Sequence, residues 1–233
     1  MKSSVRILVA LSAMLAATSA FAENYPSKPV KIIIPFSAGG VTDIAGRLIA
    51  QRLSERLGQQ FYIENLGGAG GNLGMAQVAR APADGYTVLL SSSSVSVNPS
   101  LYASMPFDPE KDLTPVTKAG GSPNSWLVNP DFPARTMKEM IELIRKEPGK
   151  YSVGSPGAGT TPSLSIEQLK HDLKLNFVTV PFAGGGPMTQ SLLGGHVPIV
   201  CGAIGNSVAL IKEGKIRALG LTDKKRLETL PDI

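Results

Sequence analysis

Cysteine occurs once in the 233 residues, at Cys201. An internal disulfide is therefore excluded, and so is any metal cluster built on cysteines. Cys201 sits in the apolar run Pro198–Ile204, which makes it a small buried core residue. Histidine occurs twice, at His171 and His196, and neither has an acidic or histidine partner at metal-ligand spacing. Both read as solvated surface groups. No Gly-x-Ser-x-Gly elbow is present: Ser122 and Ser207 have a glycine two residues before them and none two after. Gly149-Lys150 and Gly214-Lys215 run on into Tyr151 and Ile216, so a phosphate-binding P-loop is missing as well. Lysine and arginine form no cluster dense enough for nucleic acid, and none is expected as a partner. Beyond the N-terminus no apolar run is long enough to cross a bilayer.

What is present begins with export. Lys2 and Arg6 make a basic start, Ile7–Ala17 a short apolar core, and Ala20-Phe21-Ala22 a small-x-small cleavage site. Residues 1–22 therefore read as a secretory signal peptide, and the mature chain as a soluble periplasmic protein. Without Lys2 and Arg6, 21 basic residues face 18 acidic ones, a net charge of +3. That mild excess suits small anionic ligands.

The most informative stretch is Val30–Asp43, VKIIIPFSAGGVTD. A β-branched apolar run passes through Pro35-Phe36 and Gly39-Gly40 into a helical pattern opened by Thr42 and Asp43. Such a junction aims free backbone N–H groups and a positive helix end beyond the strand, where an anion fits. A glycine turn with Thr42 or Asp43 as a plain helix cap accounts for it equally well. Val180–Pro187, VPFAGGGP, repeats the pattern in the other half of the chain. Two such junctions imply two lobes facing one cleft.

Strands are expected at 29–35, 60–64 and 86–90, with helices at 42–57 and near 75–81, a βαβαβ unit. On the first helix Ala45, Leu48, Ile49, Leu53 and Leu57 form the apolar face, and Gly58 ends it. Residues 91–100 read as a loop before a short helix near Leu101, and 107–113 as a solvated polar loop. Strands at 114–117 and 125–128 flank a crossing between the lobes at 120–124. A second unit follows, with helices at 136–146, 163–171, through 193 and at 207–213, and strands at 150–153, 176–180, 197–201 and 216–221. Trp126, Met137 and Met140 read as core. Mainly parallel sheets follow from the alternation, with ligands beyond the carboxyl ends of the strands. The loops at 36–40, 91–94, 155–161 and 182–186 all leave those ends.

Gly68-x-Gly70-x-x-x-Gly74 is the best case for a nucleotide enzyme. It is one residue off the dinucleotide fingerprint and follows the second strand rather than the first, so a glycine loop packed beside the cleft explains it better. The hydroxyls at Ser91–Ser94, Ser96, Ser155, Thr160 and Thr161 cap helices, hold a carboxylate by neutral hydrogen bonds, or do both.

Read in order, YPSKPVKIIIPFSAGGVTD, ENLGGAGGNLG, ADGYTVLL, NPSLY, FDPEKDLTPV, KEPGKYSVGSPGAGT, LLGGHVPIV, IKEGKIRALGLTDKKR and LPDI resemble the Bug-type receptors of tripartite tricarboxylate transporters. The resemblance spans essentially the whole mature chain. It implies an α/β, two-lobe periplasmic-binding-protein-like fold of type II, hinged, that closes on a small carboxylate without catalysis or a cofactor or metal. Carried over by position, it places Phe36, Ser37, Gly39, Gly40, Thr42, Asp43 and Ser91, Ser92, Ser93 and Ser94 at the ligand from the first lobe. From the second come Ser155, Gly157, Gly159, Thr160, Thr161, Phe182, Ala183, Gly184 and Ala203. Ala158, Ser163, Ala183 and Gly202 depart from the Asn, His, Lys and Asp common in that family, which leaves the second lobe less polar. The implied partners are membrane transporter subunits, with a monomeric receptor. The expected division is lobe 1 over 23–120, lobe 2 over 121–225, and the start of a truncated return to lobe 1 over 226–233. A secreted enzyme on this fold, nucleotide-dependent through Gly68–Gly74, or a ligand-loaded sensor for a membrane kinase are the alternatives.

Overall fold

β-branched and aromatic residues cluster in short runs, and in the computed structural model, which describes residues 24–233, several of those runs are strands. The expected signal peptide lies outside the described residues. The chain runs β1 (Val30–Ile34), α1 (Val41–Leu57), β2 (Phe61–Asn65), a 3₁₀ turn at Ala69–Gly71, α2 (Asn72–Ala79) and β3 (Thr87–Leu89). These strands form a parallel sheet in the order β2-β1-β3, the βαβαβ arrangement expected. α3 (Ser94–Leu101) and the single turn α4 (Pro109–Asp112) follow. Then come β4 (Asn124–Val128), α5 (Met137–Lys146), β5 (Ser152–Ser155), α6 (Thr161–Asp172), β6 (Val178–Pro181) and α7 (Gly185–Leu193). β7 (Ile199–Ala203), a 3₁₀ turn at Ile204–Asn206, α8 (Val208–Lys212) and β8 (Arg217–Leu221) complete the order.

The second sheet runs β6-β5-β7-β4-β8. β5 pairs in parallel with β6 and β7, whereas β4 lies antiparallel to β7 and β8. Its two faces carry separate cores. Trp126, Val128, Met140, Ile144, Val153, Ile166, Ile199 and Cys201 pack together on one, with Met137 against them. Leu127, Met188, Leu192, Val200 and Ile216 pack on the other. α5 serves the first core well: Thr136 Oγ1 caps it through Glu139 N–H at 3.2 Å, and Met140 and Ile144 are fully buried.

Four expectations are corrected. Residues 114–117 form no strand, and Val116 is exposed; with no neighbouring strand to pair with, the β-branched residues there have nothing to lie on. The helix near Leu101 begins at Ser94, so residues 94–98 are helical. Phe107, placed on a solvated loop, is buried beside Met75 and Ala76, while Asp108 caps the α4 turn through Glu110 N–H at 3.0 Å. Finally, α1 turns Asp43, Gly46 and Ala50 inward and leaves Leu48 61% exposed. Gly46 causes this. A Cβ there would lie 2.6 Å from Ile34 Cδ1 and 3.0 Å from Leu90 Cδ2, so the helix seats its smallest residue on the sheet.

Residues 226–233 lie against the second sheet: Leu230 is buried in its second core, with Leu227 and Ile233 packed beside it. No helix among the described residues is long and apolar enough to cross a membrane. Nor do any three His, Cys, Asp or Glu residues among them group to hold a metal.

Candidate functional site

Loops leaving the carboxyl ends of β1, β2 and β3 meet loops leaving the carboxyl ends of β5 and β6. The two Pro-Phe-x-x-Gly-Gly junctions touch each other directly. Ser37 N–H donates to Ala183 O at 2.9 Å. Around that bond the backbones approach closely, and at Gly186 too closely for any side chain. A Cβ on Gly40 would lie 3.4 Å from Gly185 N, one on Gly184 3.1 Å from Ser37 N, and one on Gly186 2.2 Å from Ala38 O. This glycine seam borders two hollows. One, of about 350 Å³, is lined by Phe36, Gly68–Gly71, Tyr102, Pro156–Ala158 and Pro181–Ala183. The other, of about 390 Å³, is lined by Ala38, Gly39, Gly186, Pro187, Thr189, Gln190, Asn206 and Leu210.

No charged side chain lines the first hollow. Its walls are instead the approaches to three helices: the glycine loop before α2, the loop before α6, and the loop before α7. Helix N-termini supply partial positive charge and unpaired N–H groups without a counter-ion to displace.

Several expected ligand donors have partners inside the chain. Gly39 N–H donates to Asp43 Oδ2 at 3.0 Å, and Asn65 Nδ2 and Arg47 Nε donate to the same carboxylate at 3.0 and 3.1 Å. Burial pushes the Asp43 carboxyl up, but the hydrogen bonds from Arg47, Gly39 and Asn65 and the Arg47 charge together hold it below the usual carboxylate range. Asp43 is thus the anion that the first loop carries for itself. Thr160 Oγ1 donates to Gly157 O at 2.7 Å and accepts from Ser163 N–H at 3.4 Å, which caps α6. Thr161 Oγ1 donates to Asn124 Oδ1 at 3.3 Å. Ser91 Oγ lies 3.8 Å from Met75 Sδ, and Ser92 Oγ donates to Ser94 Oγ at 3.3 Å.

Among the described residues, three buried side-chain polar atoms have no partner: Ser93 Oγ, Asn98 Oδ1 and Ser155 Oγ. All three belong to segments at this meeting of loops: Ser93 and Asn98 flank the first turn of α3, and Ser155 opens the loop before α6. Of the residues expected at the ligand, Phe36, Gly157, Phe182 and Ala183 line the first hollow and Gly39 the second. Ser37, Gly40 and Gly184 build the seam, and Gly159 faces Asn98. Thr42 stands in the first turn of α1, and Ala203 ends β7 opposite Asn124; neither lines a hollow. Gly202 leaves room that Met188 fills, since a Cβ there would lie 2.5 Å from Met188 Cε.

Sequence reasoning did not select Asn98 or Tyr102; it placed the Gly68–Gly74 loop beside the cleft and noted Ala158, but named neither among the ligand residues. Asn98 Nδ2 donates to Gly70 O at 3.0 Å and to Asn72 Oδ1 at 2.7 Å, which ties the glycine loop to α3. The available signals were the glycine density after β2 and the Asn98-Pro99 pair inside a helical stretch.

Residues 45–233 match the model of the tripartite tricarboxylate transporter family receptor. A UPF0065 protein of Bordetella pertussis is 38% identical over 230 residues, covering 98% of this chain and 71% of that protein. The solved periplasmic binding protein BugD superposes with a TM-score of 0.84 at 37% identity, over 90% of this chain and 70% of that one. An R. palustris protein solved with adipate gives 0.86 at 35% identity, over 89% and 70%. With the family model matched over most of its length and relatives this similar along nearly all of it, the chain belongs to the Bug-type receptors of the tripartite tricarboxylate transporter family.

Proposed function

We propose that this chain captures a small carboxylate where the strand-end loops meet and passes it to the membrane subunits of a tripartite transporter. It acts in the periplasm, exported by residues 1–22, as a monomer and without chemistry of its own. The observation that carries this reading is the 350 Å³ hollow walled by helix approaches and free of charged side chains. A hollow of that size suits a small molecule. Backbone amides and neutral hydroxyls recognise a carboxylate there, and the adipate on the R. palustris relative supports that ligand class. In this reading residues 23–120 and 121–225 act as two lobes. Among the expected site residues, Phe36, Gly157, Phe182 and Ala183 serve as wall, Ser37, Gly40 and Gly184 as seam, and Asp43, Thr160 and Thr161 as support.

A thermal-shift panel of carboxylates, sugars, amines and nucleotides tests it. A ligand at a hundred times its dissociation constant adds about 2.7 kcal/mol to folding stability. Stabilisation by at least one mono-, di- or tricarboxylate is expected. Stabilisation by sugars or nucleotides and by no carboxylate overturns the reading.

A further inference from the structure

The glycines of the second junction have a purpose that ligand contact does not explain. Gly186 is the second residue of α7, where alanine is ordinarily an acceptable helix former. Its backbone is not in the left-handed region, so conformation does not require glycine. What requires it is the opposite loop: a Cβ on Gly186 would sit 2.2 Å from Ala38 O and 3.3 Å from Ala38 C, both backbone atoms that no rotamer change can move. A second close approach crosses the same interface from the other direction. Gly159, unlike Gly186, has a left-handed φ of +75° that itself favours glycine, and a Cβ there would also lie 1.8 Å from Asn98 Oδ1, the buried oxygen without a partner. Asn98 cannot swing away freely, because its Nδ2 holds both Gly70 O and Asn72 Oδ1.

We propose that Gly186 and Gly159, with Asn98 facing the latter, are closure residues: they let the two sides of the cleft shut backbone against backbone and so set the closed geometry in which a ligand is held. The inference rests on the reading that this cleft takes a ligand, and it adds that closure is limited by two glycines that need not touch that ligand. Between them the seam is fastened by the Ser37 N–H to Ala183 O bond. When the two sides part, position 186 becomes an ordinary first-turn helix site. Gly186→Ala is therefore harmless to the open form and obstructive to the closed one. Gly40, whose Cβ would stop 3.4 Å from Gly185 N, makes a graded comparison, since a few tenths of an ångström relieve that contact.

The test is amide hydrogen exchange at Ser37 in the native protein, Gly186→Ala and Gly40→Ala, each free and with the best carboxylate of the panel, beside thermal unfolding of the free proteins. Gly186→Ala is expected to unfold at or above the native temperature. It should lose at least tenfold of the Ser37 protection and bind the carboxylate at least tenfold more weakly. Gly40→Ala should fall between the two. Native-like Ser37 protection and affinity in Gly186→Ala overturn the closure role, and so does a Ser37 amide that exchanges at the unprotected rate in native protein with and without carboxylate. If Gly186→Ala unfolds well below the native temperature, the glycine serves the fold and the proposal falls. Should no carboxylate bind the native protein, the receptor reading fails, while Ser37 protection in the free proteins still decides whether the seam depends on Gly186.

Discussion

Asp43 shows how one residue can look like a ligand group and serve the fold. A carboxylate in the first turn of a helix answers the N-terminal partial charge. Here it also accepts from Gly39, Asn65 and Arg47, with its side chain only 5% exposed. Asp43→Asn replaces an acceptor oxygen with a donor that faces other donors, and is expected to cost about 1–3 kcal/mol. Because the folded carboxyl titrates below its ordinary 3.8, its contribution is present above that value and is lost as pH falls through the lower folded value. Asp108 and Glu147, held low chiefly by hydrogen bonds from Lys111 and Lys150, keep some acid dependence in either protein. Urea unfolding from pH 7 to pH 3 should thus show a smaller acid loss in Asp43→Asn than in the native chain. Parallel losses would remove Asp43 from the acid response.

At the scale of elements, α1 depends on a glycine at its contact with the sheet. Gly46→Leu would push the helix off Ile34, Leu90 and Ile63, all of which lie within 3.4 Å of the added Cβ. Overpacking of this kind costs about 1–3 kcal/mol, and the exposed Leu48 on the far side offers no compensation. Chemical denaturation should show that loss, whereas Leu48→Ala should change stability by less than about 1 kcal/mol. A Gly46→Leu protein as stable as the native one would show that α1 has room to move. The same helix shows where the sequence is legible. Its bounds, its Gly58 cap and its place after β1 are all readable, because β-branched runs and glycines act locally. Its buried face is not, since a leucine-rich stripe looks inward until the sheet's own bulk is known. The antiparallel β4 is likewise hidden, because direction comes from how the chain enters the second sheet. The candidate site divides in the same way. Both Pro-Phe-x-x-Gly-Gly loops stand out by themselves, whereas the approach of Asn98 to Gly159 joins residues far apart in sequence and is settled by the way the two sheets face each other.

At the scale of the whole molecule, the chain passes between the sheets through the irregular stretch before β4 and meets the 3₁₀ turn after β7 beside it. Ile204 N–H donates to Pro123 O at 3.0 Å, so the two segments are fastened to each other. Gly205 packs against both sides, a Cβ there lying 3.3 Å from Val41 Cγ2 and 3.7 Å from Ser122 Oγ. Ile204 is also buried in the second core, so if the cleft closes, residues 120–124 and 203–206 are expected to bend as one tied unit anchored on that core. A ligand that binds the closed form better shifts the population toward it by its differential affinity. Small-angle scattering of the native protein should therefore show a smaller radius of gyration with a saturating carboxylate than without it. Exchange at the Ile204 amide should stay slow in both states, because the hinge bends as a unit. Two outcomes would count against hinged closure: a radius of gyration unchanged by a carboxylate already shown to bind, or an Ile204 amide that becomes labile when the cleft shuts.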